Sequence, residues 1–328
     1  MPRVSVIIPT YNRADFLEAA AASVFKQTFT DFEVIIVDDG SRDNTGDVCE
    51  RLCAIDSRVR YIHQENTGLP GARNTGIRAA RGEFIALLDS DDLWAPTKLE
   101  KQLAVVERDP GIDIVYCDYA CIDASGKTWP PVYTPEYGQT LYDSLLYYNV
   151  VRGSASAVLI RAECFNRVGL FDESLRSMED WDMWLRLAQL FKFEKAPEVL
   201  VYLFQHSGQM QGDSGVMAES QLALLRKLRM SIPKQYAHHL PRVTWHYHLV
   251  AAELYCADSR RRCWSLLLQA ARSYPPGLLS LRTWYFLTLA LTGPLYPHAN
   301  ATGLVMRRWC YRYLKLNTVT GWRGPVAR

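Results

Sequence analysis

Acidic residues run out before the chain does. From Ser259 to Arg328 there is no Asp or Glu, yet eleven Lys or Arg occur there. Subtracting that +11 from the total of +2 leaves −9 on residues 1–258. A basic tail on an acidic body implies an anionic neighbour, and the Leu, Trp and Tyr among its cations favour anionic lipid over nucleic acid. Long hydrophobic runs are also missing: none reaches the roughly 18 residues that cross a bilayer, so the expected contact is with a membrane surface. The eight cysteines include no CxxC pair and no Cys/His spacing of a zinc site. With no secretory signal recognisable at the N-terminus, the expected setting is reduced and cytoplasmic, peripheral at the inner face of the membrane.

What is there concentrates between Glu83 and Trp94. Phe84–Leu88 is an apolar run too short and too tightly bounded for a helix, and reads as a strand buried on both faces. It stops at Asp89, Asp91 and Asp92, carboxylates that repel one another at this spacing. A divalent cation with hard oxygen ligands, Mg²⁺ or Mn²⁺, relieves that repulsion and shares its shell readily with phosphate oxygens. A solvated acidic turn, with Asp92 capping the following helix, accounts for the same residues.

The preceding chain repeats strand, loop and helix with short connections. Strands are expected at Val4–Ile8, Glu33–Val37, Arg58–Ile62 and Phe84–Leu88. Helices between them carry Leu17, Ala20, Ala21, Val24 and Phe25, then Val48, Leu52 and Ile55, as inward faces. This pattern predicts an α/β sandwich with a mostly parallel central sheet and helices on both faces. Ligands in such sheets sit beyond the carboxyl ends of the strands, here Thr10-Tyr11-Asn12, Asp38-Asp39 and Asp89–Asp92. Further strands are expected at Ile112–Cys117, Ser156–Ile160 and Val199–Phe204, with an irregular loop at Trp129–Pro135. The α/β domain is expected to span residues 1–215, and a smaller helical, basic region residues 216–328.

Ser177-Met178-Glu179-Asp180-Trp181-Asp182 opens another helix. Ser177 and Asp180 have capping-box spacing, which would make Glu179 and Asp180 ordinary helix-start acids. Asp182 and Arg186, four apart, read as a surface ion pair. The strand ending at Phe204 delivers His206, a lone histidine that is either structural or, beside an acidic site, a metal ligand. Thr283–Leu291 is strongly apolar and flanked by basic and aromatic residues, a pattern that favours docking at a membrane interface over a buried terminal helix.

Five of these stretches, in order, resemble the family 2 glycosyltransferases of the GT-A fold. They are Val6–Asn12, Ile36–Ser41, Gly71–Gly76, Leu88–Asp92 and Glu179–Asp182, and the resemblance covers about residues 3–210. It implies transfer of a sugar from a nucleotide-diphosphate sugar, with inversion at the anomeric carbon, to a polysaccharide, O-antigen or lipid-linked glycan. It also implies that Pro9, Tyr11 and Asn12 lie along the nucleotide, that Asp38 and Asp39 line the same pocket with Asp39 accepting from the base, and that Arg73 sits near base or diphosphate. Asp89 and Asp91 resemble the DxD pair, the first holding ribose and the second Mn²⁺ or Mg²⁺. Asp180 resembles the general base, with Glu179 orienting it, and His206 occupies a looser late position that reaches metal or diphosphate. A UDP-sugar is the favoured donor, with GDP and dTDP as alternatives.

The residue types suit that chemistry. A cation near Asp91 offsets charge on a departing diphosphate, and an alcohol acidified by bond formation can lose its proton late to Asp180. One rival is a sugar-nucleotide nucleotidyltransferase, but its usual Gly-rich first loop is replaced by Pro9-Thr10-Tyr11-Asn12-Arg13. Another is a non-catalytic nucleotide-sugar-binding scaffold, which would not need Asp180.

Overall fold

The computed structural model describes residues 1–123, 125–129, 140–205, 214–256, 259–279 and 283–284. Two compact units emerge. One comprises Met1–Leu145 with Asn149–Gly212, and the other Leu146–Tyr148 with the chain from Asp213 onward.

The first unit is built on an eight-stranded sheet. β1 (Val4–Thr10), β2 (Phe32–Asp38), β3 (Val59–His63) and β4 (Phe84–Leu87) run parallel in the order β3-β2-β1-β4. Every residue of β1, β2 and β4 is buried, as expected where helices cover both faces of a parallel sheet. Beyond β4 the sheet is mixed. β7 (Val158–Arg161) lies antiparallel between β4 and β6 (Ile114–Ile122), and β8 (Phe193–Phe204) runs parallel to β6. The edge strand β5 (Asp92–Trp94) pairs antiparallel with β8, Asp92 opposite Leu203. Asp92, a candidate helix cap in the sequence, therefore begins a strand instead.

Helices flank both faces. On one side α1 (Ala14–Phe25), α2 (Thr45–Ile55) and α4 (Lys98–Arg108), the last against β6 and β8, place Leu17, Val24, Val48, Leu52, Leu99 and Leu103 in one core with Val6, Ile8, Val34 and Ile36. On the other side α3 (Leu69–Ala79) lies so close to β1 that a Cβ on Gly76 would overlap Cγ2 of Ile7. Ile55, expected inward, is 73% exposed. Ile55 keeps the helical phase of Val48 and Leu52, but it is the last residue of α2 and is not covered there as they are. Short helices α5 (Leu141–Leu145) and α6 (Cys164–Val168) precede α7 (Glu179–Leu187).

The second unit is helical: α8 (Ser214–Ser231), α9 (Leu240–Tyr255), α10 (Arg260–Ser273) and a 3₁₀ turn at Pro275–Leu279. Its core joins Ala218, Leu249, Ala252, Tyr255, Leu266 and Leu267. Tyr147 and Tyr148 belong to this unit too, with their rings against His239 and His246. No helix among the described residues is long and apolar enough to cross a membrane.

Candidate active site

β4 ends on the acidic turn, and the three carboxylates there have different surroundings. Asp92 is buried at 5% exposure and accepts hydrogen bonds from Ser156 Oγ (2.7 Å) and Ser154 Oγ (3.1 Å). Burial, then the charges of Asp89 and Asp91, push its carboxyl well above the ordinary range. The backbone N–H of Asp89 donates to Ser156 Oγ at 3.0 Å, so one serine ties both ends of the turn together. Asp89 turns its carboxylate to Arg73, and Asp91 remains partly exposed.

Arg73 is the hinge of the arrangement. It sits on α3 at 1% exposure, with Nη2 donating to Asp89 Oδ1 at 2.7 Å and Nη1 to Glu179 Oε1 at 2.5 Å. Residues 73, 89 and 179 thus meet in one ion triad, with Arg73 and Glu179 buried and Asp89 partly exposed. Those two acids hold the guanidinium firmly protonated despite its burial. An ion buried this deeply needs both partners, because stripping one side leaves an uncompensated charge. Helix α3 is itself anchored nearby. Asn74 Nδ2 donates to Phe171 O at 2.9 Å, and Phe171 N–H returns a bond to Asn74 Oδ1 at 2.8 Å.

Asp180 follows Glu179 at the start of α7. Its Oδ1 accepts the N–H of Trp181 at 2.6 Å and its Oδ2 accepts from Asn149 Nδ2 at 3.2 Å. Desolvation, then the neighbouring Glu179 charge, raises the carboxyl to about 7, with Arg73 opposing and the Asp89 charge adding to the rise. The acids of the β4 turn and of α7 therefore share one electrostatic neighbourhood. The capping box expected at Ser177 and Asp180 does not form: the N-cap is Met178, without a side-chain cap. Met178 adopts left-handed backbone at φ 63°, a strained geometry for a residue with a Cβ, directly before the two acids. Asp182 pairs with Arg186 at 2.9 Å, but the Asp182 side chain is only 5% exposed. Arg186 also donates to the carbonyls of Val168 and Leu170, so this pair anchors α7 rather than decorating the surface.

The carboxyl ends of β1 and β2 lie beside that of β4 in the sheet. Asp38 accepts from Ser41 N–H and Tyr61 OH, at 2.9 and 3.1 Å. Asp39 gathers the loop before α3: Oδ1 accepts from Gln64 Nε2 and Thr67 N–H, and Oδ2 from Gly68 N–H at 2.8 Å. Asn12, in left-handed backbone at φ 50°, accepts from Arg42 N–H and donates its own N–H to Ser41 Oγ. Pro9 is buried within β1 opposite Val37, and Tyr11 is 45% exposed.

Sequence reasoning missed the segment from Asn149 to Ser156, which touches Asp180 at one end and the acidic turn at the other. Its local signals were faint: Gly153 at φ 91° and Ser154 at φ 54°. Among the described residues no group of three or more His, Cys, Asp or Glu is placed to hold a metal ion. His206, residues 130–135 of the expected irregular loop, and nearly all of Thr283–Leu291 lie outside the described residues.

Comparison with known proteins identifies the family. The model of glycosyl transferase family 2 matches residues 5–169, about half of the chain. An uncharacterised glycosyltransferase of Rickettsia typhi is 31% identical over 239 residues, 71% of this chain and 74% of that one. The chain belongs to glycosyl transferase family 2. Solved structures show the fold of this glycosyltransferase. S. aureus TarS 1–349, in complex with UDP-GlcNAc, aligns with a TM-score of 0.58 at 17% identity, covering 83% of this chain and 89% of that one. The mannosyltransferase PcManGT from Pyrobaculum calidifontis, in complex with GDP-Man and Mn²⁺, aligns at 0.56 and 20% identity, covering 90% and 88%. This family 2 glycosyltransferase therefore has the GT-A fold, a mixed sheet with flanking helices followed by a helical C-terminal region.

Proposed function

We propose that this enzyme transfers a sugar from a nucleotide-diphosphate sugar to an acceptor hydroxyl by direct displacement with inversion, Asp180 taking the proton. The observation that carries this reading is the triad centred on the buried Arg73, which joins the acidic turn at Asp89 to the α7 acids at Glu179. A proton acceptor raised to about 7 is well matched to neutral conditions, being partly ionised yet more basic than an ordinary carboxylate. Glu179, held by Arg73, keeps a fixed charge beside it. The Trp181 N–H and Asn149 amide hold the two oxygens of Asp180 in place.

On the donor side, Pro9, Tyr11, Asn12 and Asp38 border the nucleotide. Asp39 Oδ2 receives one described donor, Gly68 N–H, and so keeps capacity to accept from a base. Asp89 faces the ribose while Arg73 fixes its orientation. Asp91, partly exposed on the turn after β4, is the carboxylate proposed for Mn²⁺ or Mg²⁺, with His206 as a second candidate ligand, because such hard ions take carboxylate oxygen. One carboxylate plus substrate phosphates is an ordinary way to hold such an ion. When bound, the ion supplies positive charge against the departing diphosphate.

A UDP-sugar is the favoured donor, supported by the UDP-GlcNAc complex of TarS; GDP-sugars, as in the PcManGT complex, and dTDP-sugars remain in the test. The acceptor class is a polysaccharide, O-antigen or lipid-linked glycan. The basic C-terminal region supports a peripheral position on the inner membrane face. The test is a panel of nucleotide sugars with Mn²⁺, read by thermal stabilisation and by donor hydrolysis. Asp180→Asn is expected to retain stabilisation by the donor and to lose hydrolysis by about a thousandfold. Full turnover in that variant would remove Asp180 from its role.

A further inference from the structure

The helical unit carries an exposed surface upstream of the apolar run at 283–291. Helix α10 packs Cys263, Leu266, Leu267 and Ala270 inward against α9. Its opposite face carries Arg261, Ser265, Leu268 and Arg272 at i, i+4, i+7 and i+11, all exposed, with Leu268 at 55%. Just beyond, the Pro275–Leu279 turn presents Leu278 at 41% and Leu279 at 87%, and Trp284 is 60% exposed.

That corner is built, not frayed. Gly277 is buried against the Trp245 indole so closely that a Cβ would overlap the ring. Its N–H donates to Tyr274 O at 2.9 Å, and its carbonyl accepts from Thr283 Oγ1 at 2.7 Å. Fixed backbone therefore stands two leucines outward into solvent, an arrangement that favours contact with something apolar.

We propose that the outer face of α10 and the Leu278–Leu279 corner form the surface through which this enzyme seats on an anionic lipid bilayer. The proposal rests on the peripheral placement given above and names the part of the chain that makes the contact. Charge complementarity selects the occupant. Glu219 is taken by Arg262 at 3.1 Å and by the Tyr255 hydroxyl, whereas Arg260, Arg261 and Arg272 have no ion-pair partner among the described residues. No acid follows Asp258 in the sequence to neutralise them. Nucleic acid would use the arginines but leave the leucines and Trp284 in water. A second copy of the same cationic face would meet like charge. An anionic interface satisfies both halves: arginines at the headgroups, and Leu278, Leu279 and Trp284 at the headgroup–acyl boundary.

The test uses the full chain and sedimentation with vesicles of phosphatidylcholine, alone or with about 30% phosphatidylglycerol. Binding is expected only to the anionic vesicles and is expected to weaken with salt. Arg261→Glu with Arg272→Glu, and separately Leu278→Ser with Leu279→Ser, are each expected to reduce binding about tenfold or more. Circular dichroism and donor-induced thermal stabilisation are expected to be unchanged in both. Leu268→Ser is a third, single-site variant expected to weaken binding less. Failure of the parent protein to bind, or equal binding by both double variants, overturns the proposal. A concentration-dependent dimer abolished by the same substitutions would also overturn it and make the face a contact between copies. Donor stabilisation without vesicle binding sinks the seat alone; vesicle binding without any response to nucleotide sugars sinks the transfer reading alone.

Discussion

Burial and the Glu179 charge raise Asp180 to about 7, so around neutrality this carboxyl passes between its two protonation states. Two pH responses follow. Activity that needs ionised Asp180 falls as pH drops below about 7, and the acidic limb of the donor-hydrolysis profile is expected there. Stability runs the other way. The folded pKa lies above the unfolded value of about 3.9, so the folded state holds its proton longer. Stability is therefore lost as pH rises from about 4 to about 7. Asp180→Asn is expected to be neutral near pH 4 and to stabilise above pH 7 by on the order of 2 kcal/mol, measured by urea unfolding at both pH values. Arg73→Met is expected to behave oppositely. With Glu179 and Asp89 left facing each other, it destabilises by about 3–5 kcal/mol in the same assay. Adding Glu179→Gln recovers part of that loss, because the uncompensated charge is then removed.

At the level of elements, α3 carries Arg73 and Asn74 and lies on β1 by virtue of Gly76. Gly76→Ala puts a methyl into Cγ2 of Ile7 and is expected to cost about 1–3 kcal/mol, with Ile7→Ala suppressing much of that cost in a double-mutant cycle. Elements whose signal is local could be read from sequence. β1, β2 and β4 are largely apolar runs, and the ends of these strands carry the polar residues of the candidate site. β5 could not be read, because three residues form a strand only through Leu203 and Val201 on the distant β8. The opening of α7 misled for a related reason. Ser177 and Asp180 have capping spacing, but the left-handed turn at Met178 and the distant Asn149 amide decide where the carboxylate goes. Asn149, Ser154 and Ser156 were missed because hydrogen-bonding polar residues in an irregular stretch have neither period nor charge to mark them. The triad of Arg73, Asp89 and Glu179 was half legible: all three residues were singled out, but not their direct pairing.

Across the whole molecule, the chain does not change units once and for good. Leu146–Tyr148 belongs to the helical unit, although the sheet unit continues on either side of it. Leu146 is fully buried, and Tyr147 OH lies 3.0 Å from His239 Nδ1. Truncation after residue 212 strips these three residues of their partners. The truncated protein is expected to lose about 2 kcal/mol or more of stability and to expose apolar surface, measured by denaturant melts and dye binding.

The stretch from Asn149 to Ser156 leads directly out of that excursion. It holds the Asp180 amide partner at one end and the serine grips on Asp92 and on the Asp89 backbone at the other. On the proposed function, a change made there to admit a bulkier alcohol would also shift the acidic turn proposed to face the phosphates. Selectivity for incoming and departing groups would then drift together, and re-engineering one without the other would need compensating changes outside this stretch.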